Sequence, residues 1–474
     1  MTPALREDSE PIVHRSGYLK VLRTSIEIAR VELPTPLLAI SRWLPSVLLA
    51  VWVLTLPLEF TKLYFPNQLI EVSRIVLVLC LLTFVAQLVL ERRELLVPAS
   101  ASVFGLALFT AYAAVSALVV GSGQGIKTVL SMVAYFLMML TVFNWTRTSR
   151  MHRRVWSALA VSAVILSLAG LVLHATNTHI WNLPTVEVQR VNATFHDPNV
   201  FARFIAFAML ALVILVADLD VNRRQRALWV LGALAAAVIL PFTYSRAVWA
   251  FTLLVALVVI AVARRKRRAI VLVGVVVAIF ALVAIIDPSV LSRAALLAEN
   301  LESPFKNRAF LARAPWLQFM SVLPLDSVRQ YLIGSGLIMF VDHPIFGIGF
   351  GGFSHALKGP YSGLVPLGVD TTASHTTLIT ILAETGLVGL TIVLVAGFSF
   401  ARSAVRARIL GPVERTLALA PVIGLLVILL ASQFSSRLFE EPYLWLFLGL
   451  AYSAQAGLDD GGESREPTEL GVTS

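Results

Sequence analysis

Apolar runs about as long as a bilayer is thick recur along this chain, and no other feature restricts its fold so tightly. A helix rising ~1.5 Å per residue needs roughly 20 mainly apolar residues to cross the hydrocarbon of a membrane. Runs of that kind fall at 43–60, 72–90, 99–120, 126–145, 155–173, 199–219, 227–243, 246–263, 269–287, 377–400, 416–434 and 441–456. They lack the alternation of a barrel strand, and an open sheet edge cannot lie in lipid, so they read as helices. The fold class expected is all-α, a polytopic membrane bundle of about twelve transmembrane helices. Composition agrees: 58% of the chain is hydrophobic, 14% is charged and the mean hydropathy is +0.82. A water-soluble protein of 474 residues needs far more polar surface than that.

The net charge of +10 does not point to nucleic acid, because the basic residues sit in short turns between apolar runs. Eighteen of them occupy alternate turns: Arg92 and Arg93; Arg147, Arg150, Arg153 and Arg154; Arg223, Arg224 and Arg226; Arg264, Arg265, Lys266, Arg267 and Arg268; Arg402, Arg406, Arg408 and Arg415. By the positive-inside rule these turns face the cytoplasm with both termini, and segment 288–376 lies outside. The expected organisation is a cytoplasmic tail over 1–42, nine spanning helices over 43–287, a long external loop over 288–376, three spanning helices over 377–456 and a disordered cytoplasmic tail over 457–474. Within the first tail Leu19, Leu22, Ile26 and Ala29 recur at helical spacing opposite Lys20, Arg23 and Arg30, the pattern of a basic helix lying on the membrane surface. That tail has no compact apolar segment followed by a small-residue cleavage site, so it does not read as a cleaved signal. The one cysteine, Cys80, lies inside an apolar run, which excludes an internal disulfide and a cysteine metal site.

Arginines on the external side run against the topological bias and therefore need another explanation. Arg190 ends an external loop, Arg246 occupies the tight turn Thr243-Tyr-Ser-Arg246, and Arg329 precedes the apolar run 334–341. A guanidinium is always charged and its planar fork binds phosphate oxygens in pairs, so several together suit a lipid-linked phosphate or diphosphate. Binding of phospholipid headgroups is the competing explanation. His375 opens an apolar helix at the external boundary, where a neutral imidazole can take a proton from a hydroxyl. Glu384 follows nine residues later on the opposite face of a regular helix, so it reads as a structural hydrogen bonder or a contact to another helix and not as the partner of His375. The segment Gly347-Ile-Gly-Phe-Gly-Gly352 fits G-x-G-x-x-G but has no βαβ setting, so its glycines read as a loop approaching a helix or substrate closely. The external carboxylates are scattered, so no dedicated metal site is expected.

Four segments, Arg190-Val-Asn-Ala-Thr-Phe-His-Asp-Pro-Asn199, Thr243-Tyr-Ser-Arg246, Asp342-His-Pro-Ile-Phe-Gly-Ile-Gly-Phe-Gly-Gly-Phe353 and His375-Thr-Thr-Leu-Ile-Thr-Ile-Leu-Ala-Glu-Thr-Gly386, resemble in order the signature segments of the O-antigen ligase and polymerase superfamily. The resemblance spans roughly residues 185–400. It implies a GT-C-like bundle with a long helical periplasmic loop, in the bacterial inner membrane, with the active site facing the periplasm. It also implies metal-independent, cofactor-free transfer of a glycan from an undecaprenyl-diphosphate carrier to an acceptor hydroxyl, such as one on lipid A-core. By the same resemblance His375 is the general base, Arg246 and Arg329 hold the donor diphosphate, and Arg190 matches a further family arginine. Thr376 stands where asparagine is commoner in the family, and Arg308 and Arg313 are further candidates for glycan or phosphate contacts.

Two other functions remain in view. A polymerase of the same superfamily shares these motifs and differs chiefly in its acceptor. A lipid-linked sugar transporter would also use external arginines, but it calls for polar groups at mid-bilayer depth, and the centres of most of these helices are Leu, Val, Ala and Ile.

Overall fold

A computed structural model describes residues 21–24, 35–59, 62–65, 68–91, 93–178, 180, 190–295, 315–317, 327–364, 374–435 and 438–458. Helices occupy all twelve apolar runs. They are α1 Thr35–Thr55, α2 Val72–Leu90, α3 Ala101–Val120, α4 Gly123–Trp145, α5 Ser149–Ala175, α6 Pro198–Asp218, α7 Arg223–Ile239, α8 Arg246–Val262 and α9 Lys266–Ile286, then α13 Thr377–Arg406, α14 Pro412–Ser432 and α15 Pro442–Gln455. Eight of them are long and apolar enough to cross a membrane, and the chain is an all-α multi-pass membrane protein. Between the two groups, the described residues of the long loop carry three shorter α-helices, α10 Pro288–Ala295, α11 Ser327–Asp342 and α12 Phe353–Lys358.

Side-chain caps set several helix starts. Ser100, Ser122, Thr148 and Asn222 each accept a hydrogen bond from the backbone N–H three residues on, which satisfies a donor that the first turn leaves open. The turn from α3 into α4 is tight because Gly121 caps α3 at φ 69°, a left-handed conformation that costs glycine nothing. α6 is the central column. It packs on α5, α7, α8, α9 and α14 and is buried throughout its apolar length. α9 keeps most of its surface outward, with Val271, Ile285 and Ile286 exposed as a lipid-facing helix requires.

The turns gather at two ends. At the basic end Asp218 accepts hydrogen bonds from the backbone of Arg264 and Arg265, and Asp220 pairs with Arg265, Arg226 and Arg268. Arg415 donates to Val262 O at 3.0 Å and Arg147 to Ser453 O at 3.2 Å. The long loop and the turns α3–α4, α5–α6, α7–α8 and α14–α15 meet at the opposite end.

Two expectations differ from the structure. Residues Val21–Thr24, inside the expected surface helix, form β1, which pairs antiparallel with β4, Leu95–Pro98. The β-branched Val21 and Thr24 suit an extended strand, and the backbone of the α2–α3 connection offers it a partner. α1 begins at Thr35, eight residues ahead of the apolar run, and the rest of the tail lies outside the described residues, as does the end of the chain from 459. A hairpin, β2 Lys62–Phe65 with β3 Gln68–Glu71, joins α1 to α2.

α13 is not one regular helix. Gly386 sits at φ 61° and ψ −158° and interrupts it. The loop segment Pro344–Gly349 lies in the gap, and glycines permit the contact. A Cβ on Gly347 would stand 2.4 Å from the Glu384 carbonyl carbon, and one on Gly386 would stand 2.4 Å from Ile345 O. The glycine-rich motif is therefore a docking segment for α13, and Glu384 seals the joint by accepting a hydrogen bond from Phe353 N at 3.1 Å.

Candidate functional site

His375 stands one residue before the N-cap of α13 in a left-handed conformation, φ 58°. For a residue with a Cβ this costs about 1 kcal/mol, so its neighbours must hold it. They do so with a clasp of short bonds. Ser374 Oγ donates to Thr376 O at 2.9 Å and accepts from Thr376 N at 3.2 Å, and it shares a 2.9 Å bond with Thr380 Oγ1. The helix start beyond the clasp is tied to the end of α14: Thr377 Oγ1 donates to Ser432 O at 2.9 Å, and Leu378 N donates to Gln433 Oε1 at 3.3 Å. His375 is half-buried.

Arg246 is the first residue of α8, just after a 3-10 turn, Pro241–Thr243. This turn is strongly braced. Arg190 donates from Nε to Thr243 O at 3.0 Å and from Nη2 to Asn199 Oδ1 at 2.7 Å, and Asn199 Oδ1 also accepts from Ser245 Oγ at 2.8 Å. Arg190 and the turn of Arg246 are thus brought together, with two of the Arg190 donors directed at protein acceptors. Tyr244, left-handed at φ 50°, reaches across to Asp287 and Ser289, where the long loop begins. Burial raises the Tyr244 hydroxyl above its ordinary value. Burial alone would also raise Asp287, but hydrogen bonds from Ser289 and Tyr244 outweigh it and hold that carboxyl low.

Arg329, near the start of α11, lays its guanidinium over the Phe434 ring at 5.4 Å. The same ring meets Phe251 of α8 at 5.5 Å, and Phe251 lies five residues beyond Arg246. Next along the chain, Ser435 Oγ accepts from Arg203 Nη1 at 3.0 Å, and Arg203 pairs with Glu441. That pair is buried, with Arg203 1% and Glu441 6% exposed. Four consecutive residues, Ser432 to Ser435, therefore touch the start of the His375 helix, Arg329, the helix of Arg246 and the central column. Arg308 and Arg313 lie outside the described residues.

Several of these residues escaped the sequence reading. The signal for Arg203 was present: a cation five residues into an otherwise apolar helix must find a carboxylate or face lipid, and Glu440 and Glu441 are the acidic pair beside the last helix. Phe434 gave no signal, since one aromatic among many is distinguished only by what it touches. A search of curated proteins finds no match to this chain. Residues 231–394, a span that contains Arg246, Arg329 and His375, match the family model for O-antigen ligase.

Proposed function

We propose that this protein is a glycosyltransferase of the inner membrane that moves a glycan from an undecaprenyl-diphosphate carrier to an acceptor hydroxyl on the periplasmic side. The observation that carries the proposal is the junction Ser432–Ser435, which ties the helix start behind His375 to Arg329 and to the helix that Arg246 opens. Helix lengths support it too. α7 and α8 have 17 residues each and α15 has 14. At ~1.5 Å per residue they span about 25, 25 and 21 Å, less than the ~30 Å of hydrocarbon. In this proposal their turns at the end away from the basic loops stop short of the outer boundary, and the carrier diphosphate enters the recess this leaves.

In this proposal the acceptor oxygen attacks the anomeric carbon, the bond from that carbon to the diphosphate oxygen breaks, and the acceptor proton passes to the neutral imidazole of His375. Arg246 and Arg329 stabilise the charge that grows on the leaving diphosphate, without a metal ion. Arg190 supports the turn that presents Arg246. The acceptor is an outer-surface glycolipid such as lipid A-core for a ligase, and a second carrier-linked glycan for a polymerase.

The test is reconstitution in vesicles with a carrier-linked glycan and an acceptor glycolipid, with and without EDTA. Transfer is expected to persist in EDTA and to fall at least about a hundredfold in His375→Ala, the lower range for loss of a general base. Undiminished transfer by that variant removes the histidine from the mechanism, and loss of transfer in EDTA overturns the metal-free step. A deletion strain separates the two acceptors: carrier-linked long polymer accumulates without a ligase, and single repeat units accumulate without a polymerase.

A further inference from the structure

Residues 327–352 belong to the segment that topology assigns to the outside, yet their contacts run down into the bundle and back. α11 descends beside α13, with Gly336 so close that a Cβ there would stand 2.6 Å from Ile379 Cγ2. After Asp342 the chain turns, and Pro344 O and Ile345 O accept hydrogen bonds from Leu387 N at 2.9 Å and Val388 N at 3.2 Å. It then climbs along α3 by successive contacts: Tyr112 with Phe346 O, Ser116 with Phe350 N, Val120 with Gly349, and Ser122 with Gly351 O. α3 has 20 residues, which matches the hydrocarbon thickness, and Tyr112 lies eight residues before its end at Val120. The turn of this hairpin therefore sits roughly 10 Å below the end of α3, at ~1.5 Å per helical residue.

A loop at that depth is tolerated only if its backbone groups are paired, because lipid offers them no partner. The break at Gly386 disrupts the ladder of α13 around residues 383–388, and five of the groups there find partners outside the helix. Ala383 O accepts from Ile348 N at 2.9 Å and Glu384 O from Gly349 N at 3.0 Å. Thr385 O accepts from the Tyr112 hydroxyl at 3.1 Å, and that hydroxyl also reaches Phe346 O. Leu387 N and Val388 N donate to the hairpin as above. The tip nonetheless exposes apolar side chains, with Ile345 57% and Phe346 64% exposed, continuous with the exposed Val115 of α3 and Leu387 of α13.

We infer that residues 327–352 form a re-entrant hairpin whose tip, Ile345 and Phe346, contacts the acyl chains of the membrane leaflet at this end of the bundle. The occupant is lipid because the depth and the continuity with the apolar belt both fit hydrocarbon. The inference stands apart from the catalytic proposal, since it concerns insertion and not transfer.

The chain has one cysteine, Cys80, which is buried, so site-directed labelling has a quiet background. Nitroxide would be attached to Ile345→Cys, to Phe346→Cys and to a control, Thr178→Cys, exposed just beyond α5. The full-length protein would then be reconstituted in phosphatidylethanolamine–phosphatidylglycerol vesicles. Power saturation is expected to show collisions with oxygen exceeding those with a water-soluble nickel chelate at both tip positions, and the reverse at 178. Nickel collisions equal to or above oxygen at both tip positions would place the tip in water and overturn the insertion. Low collision with both reagents would place a protein surface over the tip, a second copy included, and would equally overturn it. Because the tip side chains are exposed, neither label disturbs packing, and elution as a single species checks the fold of each variant.

Discussion

Arg203 and Phe434 illustrate how single residues set the geometry around His375. Breaking a buried ion pair by deleting one partner leaves the other charge desolvated and costs about 3–5 kcal/mol. Arg203→Ala should therefore lower the unfolding temperature in detergent markedly, and Glu441→Gln, which still accepts a hydrogen bond, should lower it less. Phe434 acts differently. A guanidinium over an aromatic face gains about 0.5–2 kcal/mol, so Phe434→Leu should lower kcat/KM for the carrier-linked donor about 2- to 30-fold. Phe434→Tyr should restore the wild-type value. An unchanged kcat/KM in Phe434→Leu would show that this ring does not position Arg329 for the donor. His375 was legible from its place at a helix start, but its left-handed backbone was not, because the clasp that holds it depends on Ser374 and Thr380 closing around a turn.

At the scale of elements, the glycine-rich segment was readable as a close approach to a helix, for lack of any nucleotide-binding context. The break in α13 was not, since Thr-Gly-Leu-Val-Gly within an apolar run is compatible with a continuous helix, and only the arriving hairpin makes interruption affordable. The expectation that Glu384 and His375 do not pair survives, because the helix is regular between Thr377 and Thr385 and the Glu384 carboxylate is engaged by the Phe353 backbone. Gly347→Ala combines a collision with the α13 backbone and a left-handed φ of 69°, so it should destabilise by about 2 kcal/mol or more, measured as unfolding temperature in detergent. Gly274→Ala, which meets nothing within 4 Å, is the matched control and should be neutral or slightly stabilising. At the basic end Asp220 is held at about 2, first by its hydrogen bonds with Arg265 and then by the charges around it. A carboxyl lowered from 3.8 contributes stability that is complete above the ordinary aspartate range and is lost as pH falls through about 2. Asp220→Asn should therefore erase a small difference in unfolding temperature between pH 6 and pH 3, a difference that salt also weakens.

The whole-molecule architecture was the most legible part, because hydrocarbon thickness and backbone pairing leave a chain with these apolar runs few alternatives. Which helix lies at the centre was not legible, since α6 and α9 are both strongly apolar and only packing distinguishes the buried one from the lipid-facing one. That centre has a consequence for how the protein is made. Arg203 enters the membrane 238 positions ahead of Glu441. The column that becomes the middle of the bundle must then wait, in lipid or beside a translocation partner, with a bare cation near one end until the final two helices arrive. Synthesis halted after residue 411 should accordingly yield an inserted but protease-sensitive chain, detectable by limited digestion of membrane vesicles. Resistance equal to that of the full protein would mean that α6 finds a temporary counter-charge elsewhere. Completion of the last helix thus acts as a checkpoint on maturation, since only then does the earliest buried charge acquire its lasting neighbour.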